Sequence, residues 1–323
     1  MDWEGGLVKE FYPARTIVVT GGAGFIGSSL VEHLVRARGV SQSDVRVPRS
    51  AELDLRRFED AQRALDGAEI VFHLAAPTGG IAYSRSHPAS QYVSCALIDV
   101  NVLEAARLAG VSKVIMLGNL LAYPVAAPSP LREESLHDGR IADTHLGIGL
   151  AKRNLVLLAE MYHREYAMDV VTVLSANAYG PRDRFDVTIS HVIPATIMKC
   201  FDDSAELVVW GDGSPTRDFL YVDDIAEGEA LAGEHLAGPE FVNVASGREV
   251  SIRELVHTIA DLCGFTGQIR FDATKAGGDP RRSASTDRAT RLLQFAPRYT
   301  LEEGLRRTVD WYRSEVRASR GVA

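Results

Sequence analysis

The sequence predicts an α/β protein with a doubly wound parallel sheet and a smaller α/β C-terminal lobe. From Thr16 onward, short apolar runs rich in β-branched residues alternate with longer segments of helical period, which is typical of a parallel sheet covered by helices. Beyond Tyr179 the pattern becomes irregular, which indicates a second lobe. With 323 residues, the chain is long enough for two unequal cores.

Five apolar runs are the predicted strands of the main sheet: TIVVT (16–20), DVRV (44–47), EIVFHLA (69–75), KVIMLG (113–118) and DVVTVLSA (169–176). The predicted helices between them are FIGSSLVEHLVRA (25–37) and the segments 88–109 and 148–167. The segment 119–147 is rich in Pro, Ala and Ser, which predicts a long loop. We expect this loop to lie over the carboxyl ends of the strands, where open α/β sheets bind ligands.

The later segments predict a discontinuous division of the chain. After Tyr179 the sequence predicts an apolar helix near 191–201, followed by the apolar run LVVWG. The next segments have the pattern of a further helix and strand of the main sheet: FLYVDDIAEGEALAGEHL and FVNVAS. We therefore expect residues 15–178 plus about 218–246 to form the unit that carries the sheet. Residues 179–217 plus 247–323 are expected to form the smaller lobe.

Composition is that of an ordinary globular protein, with 46% hydrophobic and 24% charged residues. The net charge of −8 opposes general attraction to nucleic acid or to anionic lipid, so neither is an expected partner. The start MDWEGGLVKEFYPA lacks the basic and apolar regions of a signal peptide, and no run is long enough to span a membrane. A cytoplasmic protein is expected.

The three cysteines are too few and too far apart to predict a disulfide framework. Cys95, Cys200 and Cys263 show no CxxC spacing and no Cys/His pattern of zinc ligands. No metal site is expected.

The most specific motif is TGGAGFIG (20–27), which joins the first predicted strand to an amphipathic helix. In the glycine-rich turn of a dinucleotide-binding unit, Gly21 permits the tight turn, Gly24 lets the backbone approach the pyrophosphate, and Gly27 allows close packing of helix and strand. The helix then offers free N–H groups and its positive dipole end to the phosphates. The first unit is therefore predicted to be a Rossmann-type domain, with dinucleotide contacts from Gly21, Gly24, Phe25, Ile26 and Gly27.

Cofactor preference is indicated by the segment after the second strand. An acidic residue there would hold the ribose 2′-hydroxyl of NAD, whereas this chain has Arg46 and Arg49, which suit the 2′-phosphate of NADP. NADP(H) is therefore favoured and NAD(H) remains possible, since both arginines can also be solvated surface residues. Asp54 and Leu55 are expected near the adenine.

Five segments resemble one family, the extended short-chain dehydrogenases/reductases, which include the epimerases and dehydratases of nucleotide sugars. The resemblance is greatest to the members that epimerise and reduce GDP-linked 4-keto-6-deoxy sugars, and it extends over about residues 16–315. The matching segments are HLAAPTGGI (73–81), LGNLLAYPVAAPSPLREESL (117–136), NAYGPRDRFDVTISHVIPA (177–195), VVWGDGSPTRDFLYVDDIA (208–226) and NVASGREVSIREL (243–255).

The resemblance implies a fold, a cofactor and a substrate class. A Rossmann domain would carry NADP(H), with contacts that include Ala75 and Ala76 in HLAA. The smaller lobe would hold a nucleotide-diphosphate sugar, for which a GDP-sugar is favoured, and the chain would form a homodimer.

The family's catalytic set is only partly retained. The resemblance implies a Ser or Thr after the fourth strand, a Tyr-x-x-x-Lys pair on the next helix, and a Cys and a His for epimerisation. Lys152 matches the lysine and His191 matches the histidine. Ile148 occupies the tyrosine position, Asn119 the serine position and Leu121 the cysteine position.

The altered set changes which residues can transfer protons. Isoleucine cannot do so, and general acid–base catalysis is typically worth about 10²–10⁴-fold in rate. His191 is the retained group that titrates near neutral pH, and the Asn119 amide can donate to a sugar carbonyl. Lys152 is expected to contact the cofactor ribose. His145, seven residues before Lys152, is an alternative proton donor if the helix begins early enough.

Arginines in the matching motifs are the candidates for the substrate diphosphate, because a guanidinium binds phosphate oxygens in pairs. Arg217 in PTRDF is favoured most. The predicted substrate-binding residues are Asn177, Arg184, His191, Trp210, Arg217 and Arg282. Two functions remain open: an NAD(P)-dependent enzyme that modifies nucleotide sugars with a non-standard proton-transfer set, or a catalytically silent binding homologue that acts as a partner protein.

Overall fold

A computed structural model of the chain describes residues 11–186, 190–202, 205–274 and 280–318. Its strands are β1 (Ile17–Thr20), β2 (Val45–Arg46), β3 (Ile70–His73), β4 (Lys113–Asn119), β5 (Val170–Ser175), β6 (Asn177–Tyr179), β7 (Glu206–Trp210), β8 (Thr216–Arg217), β9 (Phe219–Tyr221), β10 (Phe241–Val244), β11 (Val250–Ser251), β12 (Gln268–Asp272) and β13 (Arg281–Arg282). Its α-helices are α1 (Phe25–Ala37), α2 (Phe58–Leu65), α3 (Ile81–Ser86), α4 (Pro88–Leu108), α5 (Leu146–Tyr166), α6 (Val192–Cys200), α7 (Val222–His235), α8 (Ile252–Cys263), α9 (Asp287–Leu293) and α10 (Leu301–Trp311).

The main sheet contains six strands in the order β10-β5-β4-β3-β1-β2, and every neighbouring pair is parallel. Its carboxyl ends lie at one edge, where Thr20 is paired with His73 and Asn119 with Ser175. The predicted doubly wound parallel sheet is thereby confirmed.

Helices cover both faces of this sheet. On one face, a first core contains Leu30 and Leu34 of α1 together with Ile225 and Ala226 of α7. On the other face, a second core packs α2, α4 and α5 against the strands, with side chains such as Leu65, Val102 and Leu155. Strands β1, β3 and β5 are buried along their whole length, which explains their continuous apolar sequences.

The second lobe has its own core around α6, α8 and α10. This third core includes Ile197, Leu255 and Leu305. Beside it lie the parallel pair β7–β12 and the three-stranded group β11-β8-β13.

One helix departs from the predicted division of the chain. Ala289 and Leu293 of α9, with Phe295 after it, belong to the first core. They therefore pack with the main sheet, although the sequence pattern grouped residues 247–323 with the lobe. The rest of the division stays a prediction.

The segment 119–147 is a long connection, as its composition predicts. It contains short 3₁₀ turns at Leu120–Ala122, Glu133–Ser135 and Asp143–His145. Helix α5 begins at Leu146, directly after the last of these turns. Within the described ranges, no helix combines the length and the apolar character that crossing a membrane requires.

Candidate functional site

The glycine-rich turn between β1 and α1 leaves no room for a side chain at Gly21 or at Gly27. Gly21 has φ +71°, and a Cβ atom placed there would lie 2.8 Å from the backbone nitrogen of Ala75. A Cβ atom on Gly27 would lie 2.2 Å from the carbonyl oxygen of Gly21. Gly24 begins α1 without a side-chain cap, and a Cβ atom there would meet only the Gly21 oxygen, at 3.1 Å. The N–H groups of the first turn, which includes Phe25 and Ile26, therefore remain available for a phosphate group.

A buried hydrogen-bond chain supports this turn. Thr20 Oγ1 lies 2.7 Å from His73 Nδ1, and His73 Nε2 lies 2.9 Å from Asp99 Oδ1 on α4. All three side chains are buried, and the Ala75 N–H donates to Thr20 Oγ1 at 3.4 Å. With Asp99 as a carboxylate, His73 donates through Nε2 and accepts from the Thr20 hydroxyl. This hydrogen-bond chain leaves no signal in the sequence, because its members lie on three separate elements.

Arg46 at the end of β2 has a buried guanidinium whose Nε and Nη2 atoms find no hydrogen-bond partner among the described residues. Arg49 is exposed. A guanidinium with unpaired donors beside the glycine-rich turn fits the 2′-phosphate of a bound NADP. The phosphate oxygens would accept hydrogen bonds from Arg46 Nε and Nη2.

The two predicted adenine-side residues are engaged within the protein. Asp54 accepts a hydrogen bond from Arg56 Nη2 at 2.6 Å, and this bond lowers the pKa of Asp54 to about 2. The Leu55 side chain packs in the second core and is 8% exposed. The backbone around both residues, rather than the Leu55 side chain, is therefore the surface available to an adenine.

The position of the family's tyrosine is filled by an apolar cluster. Ile148 packs with Cys95 and Ala151, and all three are buried. Ala76 and Leu121 pack against this cluster, so it adjoins both the cofactor loop and the end of β4. Burial raises the pKa of the Cys95 thiol to about 11, although the charge of nearby Lys152 acts in the opposite direction. None of these three buried side chains exchanges a proton at neutral pH. Tyr92 also packs against the cluster, and its hydroxyl accepts a hydrogen bond from Asn154 Nδ2 at 3.0 Å.

Two retained candidates border this cluster. Asn119 Oδ1 accepts a hydrogen bond from the Leu121 N–H at 3.0 Å and so caps the 3₁₀ turn after β4. Its amide nitrogen is the part that can donate to a substrate oxygen. Lys152 lies one turn after Ile148 on α5 and is 4% exposed.

His145 lies directly before α5. Its Nδ1 atom lies 2.9 Å from Thr144 Oγ1, and its Nε2 atom lies 3.3 Å from Arg282 Nη2. Because a guanidinium only donates, Nε2 is the acceptor in the contact with Arg282. A role for His145 as an alternative proton donor stays a prediction.

His191 is the N-cap residue of α6, and its side chain is exposed. Its charge acts on Asp183, which is 7% exposed. Burial raises the pKa of Asp183, and His191 opposes this change. Asp183 Oδ2 finds no hydrogen-bond partner among the described residues. Asp183 lies in the YGPRDRF loop, where the sequence predicts Arg184 as the site residue.

Arg184 connects the lobe to the cofactor side. Its Nη1 atom donates to the carbonyl oxygen of Thr78 at 3.4 Å, in the loop that follows β3. This contact joins the YGPRDRF loop to the loop that follows β3.

Arg217 and Arg282 are neighbours, because they are register partners on the parallel strands β8 and β13. Arg282 is buried, and Arg217 is half-buried. Asn177 donates through Nδ2 to the carbonyl oxygen of Asp218 at 2.8 Å, directly after Arg217. Trp210, at the end of β7, is 63% exposed. The structure thus brings Arg217, Arg282 and Asn177 together, while Trp210 presents its ring to the surface of the lobe.

No group of three or more His, Cys, Asp and Glu side chains suited to a metal ion occurs in the described part of the chain.

Comparison with known proteins identifies relatives that span nearly the whole chain. A GDP-L-fucose synthase of Sinorhizobium fredii is 34% identical over 308 residues, which cover 94% of this chain and 96% of that protein. A probable GDP-L-fucose synthase 1 of Oryza sativa is 36% identical and covers 92% of this chain and 91% of its own. The crystal structure of a GDP-L-fucose synthetase from Naegleria fowleri bound to NADP is 27% identical, with a TM-score of 0.83, and covers 94% of this chain and 95% of its own.

The family model described as the NAD dependent epimerase/dehydratase family matches residues 17–245. That range contains the glycine-rich turn, Lys152 and His191. The chain belongs to the NAD-dependent epimerase/dehydratase family.

Proposed function

We propose that this protein is an NADP(H)-dependent enzyme of the epimerase/reductase type that modifies a GDP-linked sugar. The observation that carries the proposal is the glycine-rich turn, in which Gly21 and Gly27 meet backbone atoms and Gly24 opens toward the helix N-terminus. When bound, the dinucleotide supplies a hydride donor or acceptor. Arg46 and Arg49 would hold the 2′-phosphate, and Lys152 would hold the ribose.

The substrate assignment depends on the paired arginines and on the relatives. Arg217 and Arg282 present two guanidinium groups from adjacent strands, which suits a diphosphate. Relatives that share about a third of the sequence are GDP-L-fucose synthases, which favours a GDP-sugar as the substrate. Asn177, Arg184 and Trp210 would complete the sugar-nucleotide site.

Proton transfer follows a different route from that of a tyrosine-dependent member. Ile148 has no proton to give, whereas His191 is exposed and lies within the electrostatic influence of buried Asp183. We infer that His191 exchanges the proton with the sugar. The Asn119 amide donates to the sugar oxygen but cannot change its own charge.

The surface of α4 and α5 supports a homodimer. Exposed apolar side chains on these two adjacent helices include Val93, Leu97, Val100, Leu157 and Met161, which are 37% to 54% exposed. Exposed apolar patches of this kind mark interaction surfaces, and we propose a second copy of this chain as the occupant. We place the enzyme in the cytoplasm, because its three cysteines are free thiols.

The decisive experiment follows NADPH absorbance with GDP-linked 4-keto sugars and identifies the products by NMR, which also detects epimerisation without net oxidation. Turnover that falls at least about a hundredfold in His191→Ala supports the proposal. The matched control is His235→Ala, which removes a half-exposed histidine at the end of α7. Tight binding of NADPH and GDP-sugar without any turnover would instead establish the silent homologue.

A further inference from the structure

Two of the three cysteines lie side by side in the lobe. Cys200 is the last residue of α6 and Cys263 is the last residue of α8, and these two helices pack against each other. Both side chains belong to the third core, and their thiols are close enough to change each other's pKa. The two residues are too far apart in the sequence for their spacing to predict this pair.

The pair lies at the edge of the core rather than at its centre. Each cysteine is 9% exposed, and Cys200 forms part of the wall of a surface depression with Asp202, Gly264 and Phe265. A small oxidant can therefore reach Cys200 without unfolding of the lobe. Cys95, which is fully buried in α4, has no such access.

The surroundings of the pair favour a thiolate on Cys200. The hydrogen bond from the Cys263 thiol lowers the pKa of Cys200, because it stabilises the charged form, and it raises the pKa of Cys263. Arg313 Nη2 donates to the carbonyl oxygens of Leu262 and Cys263 at 3.1 and 3.2 Å, so a cation lies beside Cys263. A lowered thiol pKa is a feature of reactive cysteines.

We propose that Cys200 and Cys263 form a redox-sensitive modification site, at which a small-molecule disulfide oxidises the two thiols to a reversible intramolecular bridge. The Cys200 thiolate attacks one sulfur of glutathione disulfide and displaces glutathione as a thiolate. Cys263 then loses its proton and attacks the Cys200 sulfur, which displaces the second glutathione. Two cysteine thiols are oxidised and one glutathione disulfide is reduced to two glutathiones.

The bridge would connect the ends of two helices of the lobe. Helix α6 has His191 at its other end, so the bridge would fix the element that positions the proposed proton-transfer residue. A cross-link between distant parts of the chain also restricts the unfolded state, which raises the thermal midpoint of the oxidised protein. The site itself does not depend on the proposed function.

The test exposes the full native chain to glutathione disulfide and maps its cysteines by mass spectrometry after digestion without reductant. A linked Cys200–Cys263 peptide is expected in the wild type and in Cys95→Ser, together with a higher melting temperature that dithiothreitol reverses. Cys263→Ser should instead retain one glutathione on Cys200, because the thiol that resolves the mixed disulfide has been removed.

Two results would overturn the proposal. One is a wild-type protein that carries glutathione on Cys200 without any linked peptide. The other is a linked peptide that forms only in denaturant, since this would show that the folded lobe does not present the pair. A Cys263→Ser variant that fails to fold is replaced by Cys263→Ala, which keeps the apolar character of the core position.

Discussion

Ile148 on α5 packs against Cys95 on α4, and both side chains are almost completely buried. In the extended short-chain dehydrogenases/reductases that this chain resembles, a tyrosine would stand where Ile148 does. The contact shows that this position is occupied by a packed apolar cluster and is not an open gap. The chemistry of the site therefore depends on groups outside the cluster.

Substitutions at two glycines of the turn should separate cofactor binding from folding. Gly24→Val should abolish dinucleotide binding and leave the melting temperature nearly unchanged, because the added side chain would project into the phosphate's approach. Gly27→Ala should destabilise the protein, since its Cβ atom would lie 2.2 Å from the Gly21 oxygen. Calorimetric titration with NADPH and thermal unfolding distinguish the two effects. Normal NADPH binding by Gly24→Val would show that the site lies elsewhere.

Arg46 should determine whether the protein binds NADPH more tightly than NADH. Arg46→Ala should weaken NADPH binding by about ten- to a hundredfold and leave NADH binding unchanged, because a charge-assisted hydrogen bond is worth roughly 1.5–3 kcal/mol. Arg36→Ala is the matched control, since the Arg36 side chain is 78% exposed in the last turn of α1. Equal losses for both dinucleotides would contradict the assignment of the 2′-phosphate to Arg46.

Periodic and motif-bearing parts of the fold were predictable from the sequence. Helix α1 occupies the predicted residues 25–37, because its apolar spacing and the preceding glycines encode both its buried face and its start. The five predicted strands lie within one residue or two of the observed bounds, since each run contains buried β-branched residues.

Contacts between distant segments could not be predicted in this way. Asp99 reaches His73 from α4, and the charge of His191 acts on Asp183, and neither relationship leaves a periodic signal in the sequence. The packing of α9 on the first core was missed for the same reason, because a short amphipathic helix does not specify which core it covers.

Glu229 should make the stability of the fold depend on pH. The side chain is fully buried on α7, and neither carboxyl oxygen finds a hydrogen-bond partner among the described residues. Burial raises the pKa of Glu229 from 4.5 to about 8, against an opposing effect of Lys152. Between these two values the folded state keeps a proton that the unfolded state releases. The stabilisation is therefore complete below pH 4.5 and is lost as the pH rises toward 8, by roughly 1.4 kcal/mol per pH unit.

Glu229→Gln removes this titration with little change in shape. The free energy of unfolding of the wild type, measured in urea, should fall relative to that of Glu229→Gln as the pH rises from 5 to 8. Glu52→Gln, at an exposed position, should follow the wild type. Parallel curves for wild type and Glu229→Gln would show that Glu229 is ionised or solvated in the folded protein.

The apolar surface of α4 and α5 should determine the oligomeric state. Leu97→Asp should convert the dimer to a monomer, because a carboxylate buried at the interface would lose its hydration without gaining a partner. Val125→Asp is the control, since Val125 is 55% exposed in the long loop. Light scattering after size-exclusion chromatography gives the masses. A monomeric wild type would refute the proposed dimer, and a dimeric Leu97→Asp would place its interface elsewhere.

The double change Ile148→Tyr, Asn119→Ser should restore the family's tyrosine and serine beside Lys152. If the pocket otherwise keeps the geometry of a ketosugar reductase, NADPH-dependent reduction of a GDP-linked 4-keto sugar should rise by about 10²–10⁴-fold, the usual value of general acid catalysis. The larger ring must displace part of the cluster around Cys95, at a cost of roughly 1–3 kcal/mol in stability. The matched control is Ile148→Phe, Asn119→Ser, which introduces the same ring without the hydroxyl. A gain confined to the tyrosine variant would assign the effect to the phenol. Equal rates for the two double variants, both shown by thermal unfolding to be folded, would contradict the view that a missing proton donor limits ketosugar reduction in this protein.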